Sequence, residues 1–178
     1  QTLPPAKNVP VASEWNIKDL EPMLAHLEHG RSFEKGKATY TNLGCAQCHK
    51  IGKEGGNVGP ELTEVFKKLK GNRRDLLEHI LEPSLAIEDK YKAYEVETLE
   101  DRLFGLITER TDTHLMIVTN PQNPVPQKVN LKDVESIRPL KTSLMPRGIL
   151  SMLDEKQILD LLAFIEAGGD PKHKLYQH

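Results

Sequence analysis

The chain has 178 residues, 38% hydrophobic and 28% charged, with a net charge of −2 at pH 7. That composition fits one globular domain, or one domain carrying a substantial insert, and argues against a disordered chain or a basic nucleic-acid-binding surface. No apolar run reaches the roughly 18 residues that a membrane span requires.

Residues 1–16 are Pro-rich and polar and read as a linker or arm. No signal-peptide pattern opens the chain, and Gln1 leads to the expectation that a leader or larger upstream region has been removed. In "KDLEPMLAHLEHG" the spacing of Leu20, Met23, Leu24 and Leu27 predicts a helix that stops at Gly30. A second helix, about 32–43, carries Phe33, Gly36 and Tyr40 on one stripe. Glycine costs a helix about 1 kcal/mol against alanine, so Gly36 suggests close approach by another helix. "GCAQCHK" follows, then a Gly-rich loop and a short helix ending at Gly71. "NRRDLLEHILEPS" predicts a helix with Leu76, Leu77, Ile80 and Leu81 on one face and Pro83 as its breaker.

From about 93 to 140 the hydrophobic period changes to two. "YEVETL", "LFGLITE", "HLMIVTN", "QKVNL" and "ESIRPL" predict five short strands, forming a small antiparallel sheet or a partly closed barrel. Glu95, Glu97, Glu100 and Asp101 read there as solubility and edge protection. The last helix is clearest: Asp154 and Gln157 form a capping box, Ile158, Leu161, Leu162 and Ile165 a stripe, and Gly168, Gly169 and Pro171 an end. The fold class is therefore α+β, a mainly helical domain (17–92 and 141–178) interrupted by an antiparallel β insert (93–140). "KKLKGNRR" (67–74) reads as a solvated helix end, with docking of an acidic partner as the alternative.

The two cysteines, Cys45 and Cys48, are followed directly by His49. A zinc site would need a second ligand pair; the chain has no second Cys pair, and its one H-x4-H spacing, His173 and His178, lies at the far end of the sequence from this motif. A redox dithiol would follow a strand, whereas this motif follows a predicted helix. Haem attachment needs only what is present: two thiols to form thioethers and an adjacent imidazole for the iron. One covalently attached haem c is thus the expected cofactor, and its attachment calls for a periplasmic or other extracytoplasmic compartment.

The second axial position decides between electron transfer and small-ligand chemistry. Met145 in "TSLMPRG" is preferred, because Pro146 keeps its segment extended. Met152 is the alternative, although core packing is its simpler reading. Met23 and Met116 read as core residues, and His79 and His114 stay open as histidine alternatives.

"GKATYTNLGCAQCHK…GGNVGPELT" resembles the opening of a class I cytochrome c, and "SLMPRGILSMLDEKQILDLLAFI" its methionine loop and terminal helix. With "LLEHILEPSLAIEDKY", the strand-rich insert and "GGDPKHKLY", the chain resembles the planctomycete/verrucomicrobial-type haem-binding domain over about 17–176. The resemblance implies that Gly36 and Tyr40 meet the last helix near Phe164, and that the Pro60 carbonyl accepts from His49. It also implies Met145 as distal ligand and a terminal piece of a larger protein with dehydrogenase-like or propeller domains upstream.

No catalytic dyad, nucleophile elbow or phosphate loop is present, so the chain is not expected to be an enzyme. The leading expectation is an electron carrier between a periplasmic dehydrogenase and a cytochrome or oxidase acceptor. The alternatives are a haem-based sensor or weak peroxidase with a dissociable methionine, and an interaction module stapled by haem. Neither nucleic acid nor a transmembrane segment enters these readings.

Overall fold

The computed structural model describes residues 14–177, so residues 1–13 of the expected arm lie outside it. The described end of that arm is part of the helical unit. Trp15 packs against the main core, and its Nε1–H donates to the Leu153 carbonyl at 3.1 Å. Asn16 caps α1 (Ile17–Leu20) by accepting from the N–H groups of Lys18 and Asp19. Pro22 has no N–H to continue the α ladder, and the chain tightens into a 3-10 helix over Glu21–Glu28. Leu20, Met23, Leu24 and Leu27 are buried all the same.

The helical core forms where α2 (Phe33–Asn42) packs against α6 (Glu155–Glu166). The ring centroids of Tyr40 and Phe164 lie 5.2 Å apart, and those of Phe33 and Phe164 5.5 Å. At Gly36 the helices approach so closely that a Cβ would stand 2.9 Å from the Phe164 Cβ. After the short α4 (Val65–Lys68), α5 (Arg73–Leu81) adds Leu76, Leu77 and Ile80 to the same core.

α6 departs from the expected one-sided stripe, because every residue from Ile158 to Glu166 is buried. This central helix is covered on all sides, and two carboxylates are buried with it. Asp160 accepts from the Ser32 N–H at 3.1 Å and pairs with Arg31 at 3.4 Å. Glu166 takes a two-pronged contact from Arg73 at 2.8 and 3.0 Å. These partners answer the desolvation that two buried charges impose. Arg73 and Arg74 are consequently not free for docking: Arg73 also reaches Glu28, and Arg74 pairs with Glu21 and Glu78.

The capping box at the start of α6 is complete in both directions. Asp154→Ala removes its acceptor and should cost about 1 kcal/mol of stability, read as a lower denaturant midpoint with an unchanged slope.

Between α5 and α6 the five period-two runs form β3 (Ala93–Thr98), β4 (Arg102–Arg110), β5 (His114–Val118), β6 (Gln127–Asn130) and β7 (Val134–Pro139). All pairings are antiparallel, in the order β6-β5-β4-β3-β7. β6 and β7 are opposite edges, yet only the 3-10 turn Leu131–Asp133 joins them. In a flat sheet these edges would lie about 19 Å apart, while the connection reaches roughly 14 Å at most. The sheet must curl, and it forms a partly closed barrel around Val96, Leu115, Ile117 and Val129.

β3 is an inner strand, so its acidic residues do not protect an edge. Glu95 and Glu97 bridge to Arg102 on β4 and Arg138 on β7, forming a cross-strand charge ladder. No helix among the described residues is long and apolar enough to cross a membrane.

Candidate functional site

The two cysteines lie on a single helical turn, α3 (Cys45–Cys48), which places their thiols on neighbouring positions of one face. Gly44, at φ +82°, supplies the left-handed turn that separates α3 from α2. His49 then leaves the turn in extended conformation and leads into the hairpin β1 (Lys50–Ile51) and β2 (Glu54–Gly55). The buried Tyr40 hydroxyl donates to the His49 carbonyl at 2.8 Å, tying the motif to α2. Returning loop residues close over it, with Gly56 N–H on the Ala46 carbonyl and Gly59 N–H on the Cys48 carbonyl.

Both thiols are free. Burial pushes Cys45 up to about 11 and also raises Cys48. A reactive dithiol pair needs the opposite, a thiol lowered toward neutrality. Among the described residues no group of three or more His, Cys, Asp or Glu side chains is placed to hold a metal ion. The zinc reading therefore has no ligand set among the described residues.

His49 Nδ1 lies 2.7 Å from the Pro60 carbonyl. A carbonyl can only accept, so Nδ1 carries the proton and Nε2 keeps its lone pair. Burial lowers the pKa of the ring, the hydrogen bond to Pro60 opposing it, which favours neutral imidazole. Gly59 lets the backbone lie against that ring, since a Cβ there would stand 2.8 Å from Cε1 and 3.0 Å from Nδ1. The result is a neutral, oriented nitrogen donor directly after two neutral thiols.

Met145 is half-buried and packs against the helical core. Its N–H donates to Ser143 Oγ at 3.1 Å, and Ser143 N–H donates to Ser84 Oγ at 2.9 Å. Arg147 reaches Glu82 at 2.6 Å. The methionine loop is thus pinned to the segment that ends α5. Met152, read from sequence as packed, is instead 58% exposed. Met23 is a buried core residue, and Met116 is half-buried on the face of β5 away from the barrel core. His79 Nδ1 is occupied by the Asp75 carbonyl, and His114 Nδ1 lies among the Thr111 and Thr113 hydroxyls.

A small third cluster joins segments far apart in sequence. Val58 from the motif loop, Leu106 from β4 and Val118 from β5 are buried together, with Cys48 and Leu144 packed against them. Leu106 and Val118 were absent from the sequence reading of the site. Their signal was a break in alternation: Leu106-Ile107 and Ile117-Val118 are adjacent apolar pairs, which mark a strand buried on both faces.

Two neutral thiols one helical turn apart, an imidazole with a free Nε2, the glycine cradle at Gly59 and an apolar surround fit haem c. This donor set in a helical frame is the kind that a covalently attached haem would require. Residues 33–106 match the protein-family model described as Cytochrome c. The matched region supports a c-type cytochrome, with covalently bound haem c and haem-based electron transfer. It includes Cys45, Cys48, His49 and Pro60, and it ends before Met145 and α6. Among curated proteins no match is found.

Proposed function

We propose that the chain is a monohaem c-type cytochrome domain, with the barrel as an insert in its helical frame, carrying single electrons from a periplasmic dehydrogenase to a respiratory acceptor. The observation that carries this is the 2.7 Å contact between His49 Nδ1 and the Pro60 carbonyl, made immediately after two free thiols. Cys45 and Cys48 would hold the haem by thioethers, and His49 would present Nε2 to it. The Pro60 carbonyl fixes the imidazole orientation and raises its basicity. Met145, a neutral thioether on a loop tied to Ser84 and Glu82, would be the second protein donor to the haem iron. Bound haem supplies a one-electron couple. The residues around Cys48 supply an apolar setting, which disfavours the ferric form with its extra charge.

The protein isolated with its haem tests this. Expected are one haem per chain that resists acid–acetone extraction, reversible one-electron cycling, and slow or negligible carbon monoxide binding when reduced. Rapid and complete carbon monoxide binding at neutral pH would mean an open site and would sink the electron-carrier reading.

A further inference from the structure

The third apolar cluster gives the barrel a position that a mere appendage would not have. Leu106 and Val118 are direct cross-strand partners, and both are buried. Their chain neighbours Ile107 and Ile117 pack on the barrel core, so Leu106 and Val118 project from the outer face. What covers that outer face is the motif itself, Cys48 with Val58, and Leu144 beside Met145.

The contact is close. The Cys48 sulfur lies 3.6 Å from the carbonyl of Pro121, in the segment joining β5 to β6. A thiol can donate to that carbonyl and a thioether cannot, so in a haem-bound chain only the proximity of the two segments would remain. The inner construction of the sheet brings the wall to this depth. At Gly105 a Cβ would lie 2.1 Å from the Val118 carbonyl oxygen, far inside contact distance, so only glycine allows β4 and β5 to meet there. A register shift between Ile107 and Glu109 bends β4 just beyond it.

We propose that the barrel is the wall of the haem site on its Cys48 side. Leu106 and Val118, together with Val58 and Leu144, exclude water from the edge of the group held there and bridge the histidine loop to the methionine loop. This rests on the haem reading above. Under it, the 93–139 segment sets the polarity around the cofactor rather than serving as a separate binding module.

The test uses the full chain with haem attached. Leu106→Ala and Val118→Ala open the wall, Val118→Thr keeps its volume but adds a hydroxyl, and Val129→Ala cuts into the barrel core away from Cys48. Expected is a lower midpoint potential in Leu106→Ala, Val118→Ala and Val118→Thr, because a wetter site favours the ferric form. Reduction by ascorbate, a small hydrophilic reagent, should change several-fold in the two alanine variants. Val129→Ala should lower thermal stability while leaving potential and rate unchanged. Unchanged potentials in the three wall variants, or an equal shift in Val129→Ala, would overturn the wall. If an alanine variant does not fold, Val118→Thr still decides the matter. A wild-type chain that takes up no haem overturns the underlying reading instead, and haem content measured first separates the two failures.

Discussion

Met145→Ala should abolish the weak far-red sulfur-to-iron band of the ferric protein, and Met152→Ala should leave it intact. The two residues differ in what holds them. Met145 is half-buried against the helical core, its N–H is bound by Ser143 Oγ, and Ser143 is bound in turn by Ser84. Met152 is 58% exposed. An axial thioether must be held in one place, because a mobile ligand loses conformational entropy on every binding event. The pinned loop removes most of that cost before the sulfur engages. Loss of Met145 should also lower the midpoint potential, since thioether ligation favours the ferrous state. The reduced variant should bind carbon monoxide quickly, at the position the sulfur has left. The reverse pattern, with the band lost only in Met152→Ala, would transfer the assignment to Met152. A band surviving in both single variants would remove methionine ligation by either residue.

The thiol pair and its oriented imidazole were readable because they are written in nearly contiguous residues. "CAQCH" supplies both thiols and the imidazole, and the Gly-Pro that approaches His49 lies only ten residues on. The five strands were readable for a related reason: alternation of period two is a local property, and each expected run overlaps one strand. What escaped was set by partners distant in sequence. Glu95 and Glu97 resemble edge protection until β7 pairs with β3 and places Arg138 beside them. Arg73 resembles a solvated helix end until α6 brings Glu166 within 2.8 Å. Asp160 and Glu166 resemble the wet face of an amphipathic helix, yet the frame surrounds α6 on every side. Leu106 and Val118 belonged to the same class. Their adjacent apolar pairs said that β4 and β5 have two buried faces, but nothing local said that the second face would meet Cys48.

Gly36→Ala should destabilise the protein by about 2 kcal/mol, although helix propensity alone predicts a gain of about 1 kcal/mol. The sign is decided by space. An added Cβ would lie 2.2 Å from the Asp160 carbonyl oxygen and 2.9 Å from the Phe164 Cβ. Neither atom is the end of a flexible side chain, so no rotamer change relieves the clash. α2 and α6 must move apart, and the aromatic contacts of Phe33 and Tyr40 with Phe164 loosen as they do. The site feels this movement as well. Tyr40 donates to the His49 carbonyl, so a displaced α2 pulls on the backbone of the imidazole whose Nδ1 is held by Pro60. Urea unfolding of the haem-attached protein should therefore show a lower midpoint in Gly36→Ala, with little change in slope. Equal or greater stability than wild type would mean that the helices do not meet at Gly36. The glycine thus sits in mid-helix at a cost in propensity, because the crossing of α2 and α6 is what holds the Cys45–His49 segment against its core.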